Sequence, residues 1–155
     1  RKVNPQSMMR LVNARDIGID TVLDLQTRLA SGELLVIAAD RVSSTTKHKT
    51  ESVSFLGHPA QFPQGAFVLA SVMEAPFFYM FGLRKEDMRP AESFDFHVVQ
   101  SGISFSGSKK ERKEKITGAI QEYVQLLEKH LEPHPLQWFN FYNFWNQYYI
   151  KGDKK

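Results

Sequence analysis

The chain has 155 residues, of which 42% are hydrophobic and 24% charged, enough apolar material for one domain with its own core. A formal net charge of +3 is too mild to argue for nucleic acid, and the absence of cysteine excludes disulfides and thiolate metal sites. No repeat, low-complexity stretch or long linker marks a second domain, so residues 1–155 read as a single one.

Residues 1–16 are polar and mixed and specify no clear element. From Asp20 the pattern turns helical, with Val22, Leu25 and Leu29 on one face, Asp20 as N-cap and Gly32 as the stop. The apolar run 34–38 contains Val36 and Ile37, and its shortness after a helix predicts an interior parallel strand. It leads into Asp40 and Arg41, then a Ser/Thr/Lys-rich loop. Val53 and Phe55 alternate with serines, which predicts a strand closing at Gly57. A loop with Pro59 and Pro63 follows, and Pro63 suits the first position of a helix over 63–75. The N–H groups of Gln64, Gly65 and Ala66 would then lack partners within the helix, a setting that favours an anion.

Pro76 stops that helix, and residues 77–81 are aromatic enough for a buried strand. The apolar stretch 65–83 is as long as a membrane span, but Glu74 and Pro76 interrupt its middle; a helix followed by a strand accounts for it better. Phe94, Phe96 and Val98 alternate with Asp95, His97 and Val99, the pattern of a half-buried strand. Ser108 and Glu111 form a capping box before a long helix with Ile116, Ile120, Tyr123, Val124, Leu127 and Leu131 on one stripe. If 135–149 is helical, Trp138, Phe141, Tyr142, Trp145, Tyr148 and Tyr149 share one broad face. That face could pack into the core, line an acyl-chain groove, rest on a bilayer interface or cover a partner. Together these elements predict an α/β fold, mixed and with a largely parallel central sheet flanked by helices.

Three places invite a functional reading. Asp40 and Arg41 follow an interior strand, where open α/β sheets place ligands; a structural ion pair is the alternative. The 57–65 loop either contacts a substrate through its backbone or is a proline-stiffened connection. The basic run 109–115 is a solvated helix end or a contact for anionic lipid. It contains no aromatic residue, which argues against a nucleic-acid groove. His48, His58, His97, His130 and His134 show no paired metal-ligand spacing on one helix, so no metal and no cofactor are expected.

The block Phe-Leu-Gly-His-Pro-Ala-Gln-Phe-Pro-Gln-Gly at 55–65, with segments 32–41 and 135–138, resembles the second half of a bacterial lipid A biosynthesis-type acyltransferase, within the lysophospholipid acyltransferase superfamily. The resemblance implies a partial acyltransferase fold. It also implies transfer of a fatty acyl group from an acyl carrier protein or coenzyme A thioester to a hydroxyl of a lipid or glycolipid acceptor. The implied setting is the cytoplasm or, peripherally, the cytoplasmic face of the inner membrane. Residue by residue it carries over Gly57, Pro59, Phe62, Pro63 and Gly65, which join Asp40 and Arg41 as the expected substrate-binding set. The superfamily's signature of His, four residues, then Asp is missing, since none of the five histidines has an aspartate five places on. The expectation is a C-terminal fragment without catalytic residues, inactive alone and prone to self-association. The alternative is a non-catalytic lipid- or protein-binding domain on the same scaffold.

Overall fold

In the computed structural model of the chain, residues 11–12, 17–40, 49–85, 93–140 and 144–145 are described, within two units, Arg1–Ile37 and Ala38–Lys155. The first unit holds helix α1, Ile19–Ala30. Gly18 is its N-cap, and Asp20 lies instead in the first turn, where a negative charge suits the helix dipole. The helix stops at Gly32, whose φ of +87° few other residues tolerate. There Gly32 N–H donates to Leu29 O and Glu33 N–H to Arg28 O, both at 3.0 Å, the paired bonds of a Schellman stop. The Arg28 guanidinium donates to the Glu33 carboxylate at 2.7 Å across the same turn.

The expected interior strand at 34–38 does not form. The segment pairs with no strand among the described residues, and Leu34 and Val36 are 90% and 75% exposed. An apolar run becomes an interior strand only where neighbours supply its hydrogen bonds and cover both faces.

The second unit begins its regular structure with a hairpin. Strand β1, Thr50–Phe55, pairs antiparallel with β2, His58–Pro63, in a register running from Thr50 opposite Pro63 to Phe55 opposite His58. The two-residue turn is Leu56-Gly57, with φ of +51° and +80°. Positive φ at both central residues is the type I′ geometry that matches the twist of a hairpin. Helix α2, Gly65–Met73, follows and ends on Glu74 in the left-handed region. Strand β3, Phe78–Arg84, pairs antiparallel with β4, Phe94–Gln100. Helix α3, Lys109–Leu131, opens with the expected capping box. Ser108 N–H donates to Glu111 Oε2 at 2.6 Å, and Glu111 N–H donates to Ser108 Oγ at 3.4 Å.

A largely parallel central sheet is therefore not the architecture. The described strands form two separate two-stranded antiparallel sheets, β1–β2 and β3–β4. The connections explain it: a parallel pair needs a crossover of about a dozen residues or more. A two-residue turn joins β1 to β2, and the 85–93 connection between β3 and β4 is also too short. The helical crossover among the described residues, α2 between β2 and β3, links strands of different sheets.

The core is aromatic. Phe55 and Phe62, both 0% exposed, meet edge to face at 5.5 Å between ring centres, and Trp138 and Phe144 stand 5.2 and 5.5 Å from Phe55. The stripe of α3 closes over them with Ile120, Val124, Leu127 and Leu131 buried as expected, and Tyr123 partly so. The aromatic C-terminal stretch is not one helix from Pro135. Pro135–Gln137 makes a single 3₁₀ turn and Trp138 is extended. Phe141, Tyr142, Tyr148 and Tyr149 lie outside the described residues. Among those described, Phe144 is buried and the Trp145 indole N–H donates to Phe55 O at 3.3 Å, so this part packs on the core.

The β3–β4 sheet corrects a further expectation. Its buried face carries Tyr79 and Phe81, whereas Phe94, Phe96 and Val98 face outward with Phe78 and Met80. Alternation identified the strand, but the apolar side of β4 is the uncovered one. No helix among the described residues is long and apolar enough to cross a membrane.

Candidate functional site

The expected substrate-binding residues divide between two places. Gly57 lies in the hairpin turn, with no atom within 4 Å of where a Cβ would stand, so its φ rather than a close approach demands glycine. Leu56 beside it donates its N–H to Glu128 Oε1 of α3 at 2.5 Å. Pro59 is exposed on β2, opposite Ser54. Pro63 is the last residue of β2 and not the first of a helix; Gln64 is the N-cap and Gly65, exposed, opens α2. A six-residue strand at about 3.3 Å per residue puts roughly 20 Å between the two ends of this block. Gly57 and the Pro63–Gly65 corner therefore form no single amide cradle. The Gln64 N–H is also engaged, donating to Lys49 O at 2.9 Å. Its side-chain amide donates to Thr50 O at 3.2 Å and to Glu51 Oε2 at 2.8 Å, stitching the start of α2 to β1.

Phe62 belongs to the core, and the ring of Tyr123 stands beside it. The Tyr123 ring lies 6.2 Å from that of Phe62 and 6.1 Å from that of Phe67 on α2. Burial first, and then the negative charge of Asp40, push the Tyr123 hydroxyl well above the ordinary tyrosine range. Asp40, half-buried, is thus close enough to Tyr123 for its charge to be felt, and Ala39 packs against the same core. Tyr123 therefore stands against Phe62 and, through Phe67, against α2, and its hydroxyl feels the charge of Asp40. Arg41 and His48 lie outside the described residues.

His58 is exposed, its ring 6.4 Å from that of Trp145. His130 stacks on Phe81 at 4.5 Å and meets His97 edge to face at 4.9 Å; its Nδ1 lies 2.7 Å from Leu126 O, so Nδ1 carries the proton. Among the described residues no group of three or more His, Asp or Glu is placed to hold a metal ion. In the basic run, Arg112 pairs with Glu74 and Lys115 Nζ donates to Ser106 O at 2.5 Å. Two of its five cations therefore tie down the start of α3, while Lys109, Lys110 and Lys113 are exposed.

Reading the sequence alone missed a buried polar cluster. Glu122 Oε2 accepts from the Ser101 hydroxyl at 2.5 Å and from the Tyr79 hydroxyl at 2.9 Å, and Tyr79 also lies 2.9 Å from Ala119 O. Burial raises the Tyr79 hydroxyl above its ordinary range, Ser101 draws it back, and Glu122 adds to the rise. No local spacing announces this cluster, because its members come from β3, the segment after β4, and α3. The hairpin turn did have a signal: a residue followed by glycine between two strand-like runs. Comparison with protein-family models, curated proteins and solved structures yields no match in any of the three.

Proposed function

We propose that this chain is the acyl-donor-handling part of an acyltransferase that moves a fatty acyl group from an acyl carrier protein or coenzyme A thioester to a lipid or glycolipid hydroxyl, working peripherally at a membrane surface. The reading rests on the resemblance of 32–41 and 55–65. One structural observation supports it: the charge of Asp40 acts on the Tyr123 hydroxyl, and the Tyr123 ring stands 6.2 Å from that of Phe62. In this reading Arg41 receives the phosphate of the phosphopantetheine arm, Asp40 orients it, and the aromatic wall of Phe62 and Tyr123 backs the site. Gly57 and Pro59 then act by shaping the hairpin, since they lie at its far end. The chain contributes binding groups and no general base.

Equilibrium binding of a long-chain acyl-coenzyme A, with acyl-free coenzyme A as reference, tests the reading. Arg41→Ala and Asp40→Ala are each expected to weaken binding about tenfold, near the 1.4 kcal/mol of one lost charge-assisted contact. Unchanged binding in both variants removes the pair from the site, and no binding by the parent chain removes the donor. A second reading, a non-catalytic lipid- or protein-binding domain, is favoured by the uncovered apolar face of β3–β4.

A further inference from the structure

Strand β4 ends the β3–β4 sheet with an edge that no other strand among the described residues pairs with. Lys85 N–H donates to Ser93 O and Ser101 N–H to Phe77 O, both at 3.1 Å. These bonds fix the phase of the ladder. The odd-numbered residues of β4, including His97, exchange bonds with β3, while Phe94, Phe96, Val98 and Gln100 turn N–H and C=O away from it. No other strand pairs with that side among the described residues. The outer edge of β3 differs: the Gln137 side chain accepts from Arg84 N–H at 2.7 Å and donates to Arg84 O at 2.9 Å, imitating a neighbouring strand. Among the described residues nothing comparable guards β4. Phe94, Phe96 and Val98 are 48%, 63% and 58% exposed, and its outward positions include no proline, glycine or charge of the kind that blunts free edges.

We infer that two copies of this chain pair along β4, antiparallel about a two-fold axis through His97, into a four-stranded sheet β3–β4–β4–β3. The register follows from matching outward-facing groups. With His97 on the axis all four outward residues find a partner: Phe94 faces Gln100 of the partner subunit and Phe96 faces Val98 of the partner subunit. A shift by one step either way leaves one of the four unmatched. The matched register offers up to about eight main-chain hydrogen bonds, two for each facing pair. It also sets an aromatic ring against a β-branched side chain on both sides of the axis, a favourable cross-strand pairing. A two-fold axis closes the assembly at two copies, and on the second edge of each sheet Gln137 already takes the outward N–H and C=O of Arg84. The inference is independent of acyl transfer, since neither Asp40 nor Arg41 enters it.

Sedimentation velocity of the purified chain over a concentration series tests it. The expected result is a reversible monomer–dimer equilibrium. Val98→Pro removes an outward N–H and leaves the β3 ladder intact, so it is expected to weaken the dimer tenfold or more with an unchanged circular dichroism spectrum. Should that variant lose the spectrum, Phe96→Lys serves the same purpose. The register has its own readout in a chain without cysteine. His97→Cys places two thiols across the axis as a non-hydrogen-bonded pair, about 4.5 Å apart at Cα, and is expected to form a covalent dimer on mild oxidation. Asp95→Cys, four positions from its own copy at about 3.3 Å each, is expected not to. A parent chain that stays monomeric at every concentration overturns the inference. So do open-ended aggregates in place of a dimer, and equal cross-linking at positions 95 and 97. A dimer that survives Val98→Pro and is lost with Met80→Lys means packing through the face and also overturns it.

Discussion

Leu56 holds a backbone conformation that its side chain opposes. A φ of +51° costs a branched residue about 1 kcal/mol or more, and the type I′ turn requires it. The bond from its N–H to Glu128 and the pairing of six residues on either side hold it there. Leu56→Asn, which accepts this conformation readily, is therefore expected to raise stability by about 0.5–1 kcal/mol in urea denaturation, because the leucine is 47% exposed and gives up little burial. Glu122 presents the opposite case, a side chain whose loss strands others. Removing it in Glu122→Ala leaves the Ser101 hydroxyl without its acceptor and Tyr79 with Ala119 O alone, and is expected to cost about 1–3 kcal/mol, with Glu122→Gln closer to the parent. Tyr79 and Tyr123 also predict an alkaline limit. Both hydroxyls are raised in the folded chain, chiefly by burial, above the unfolded value of about 10. Below pH about 10 both states keep these protons and the contribution is fully present; above it the unfolded chain releases them first, and stability falls as pH rises. Urea midpoints measured between pH 9 and pH 11 are expected to fall, roughly, with a shallower slope in Tyr123→Phe.

At the scale of elements, helices were readable and sheets were not. The start of α3 lay in four consecutive residues, Ser108 to Glu111, and the stop of α1 in Gly32, because capping groups act on amides a few positions away. Ser108→Ala is expected to cost about 1 kcal/mol of stability. Contacts with Ser108, first through its side chain and then through its backbone, hold the Glu111 carboxyl below its ordinary range. Its contribution is thus present above the unfolded carboxylate value and is lost as pH falls through the folded one. Helical circular dichroism at 222 nm, followed from neutral pH into the acid range at low urea, is expected to drop earlier in the parent than in Glu111→Gln, which has no such proton to gain. The hairpin was misjudged for a physical reason. Pro59 and Pro63 looked like loop residues, yet each sits where a two-stranded sheet tolerates a missing N–H, on an edge or at a strand end. Of the expected site, Phe62 stands beside Tyr123, whose hydroxyl feels the charge of Asp40, while Gly57 and Gly65 are separated by the strand between them.

The larger unit is built around an aromatic centre. Phe55 touches Phe62, Trp138, Phe144 and Trp145, joining the hairpin to the segment after α3. Phe55→Ala is expected to cost about 3–5 kcal/mol, a large share of the roughly 5–15 kcal/mol of a typical domain, and to lower the urea midpoint accordingly. The sequence by itself determined α1 and α3, the stop of the first and the capping box of the second, the aromatic character of the core and the strands β1, β3 and β4. Helical hydrogen bonds close within the segment that makes them, so the residues that encode a helix are the residues that form it. Only the tertiary structure decided which strands pair, in which direction, and which apolar face stays open. A strand's bonds are completed by another stretch of chain, and that is why the run at 34–38 remains exposed and why Phe94, Phe96 and Val98 look outward.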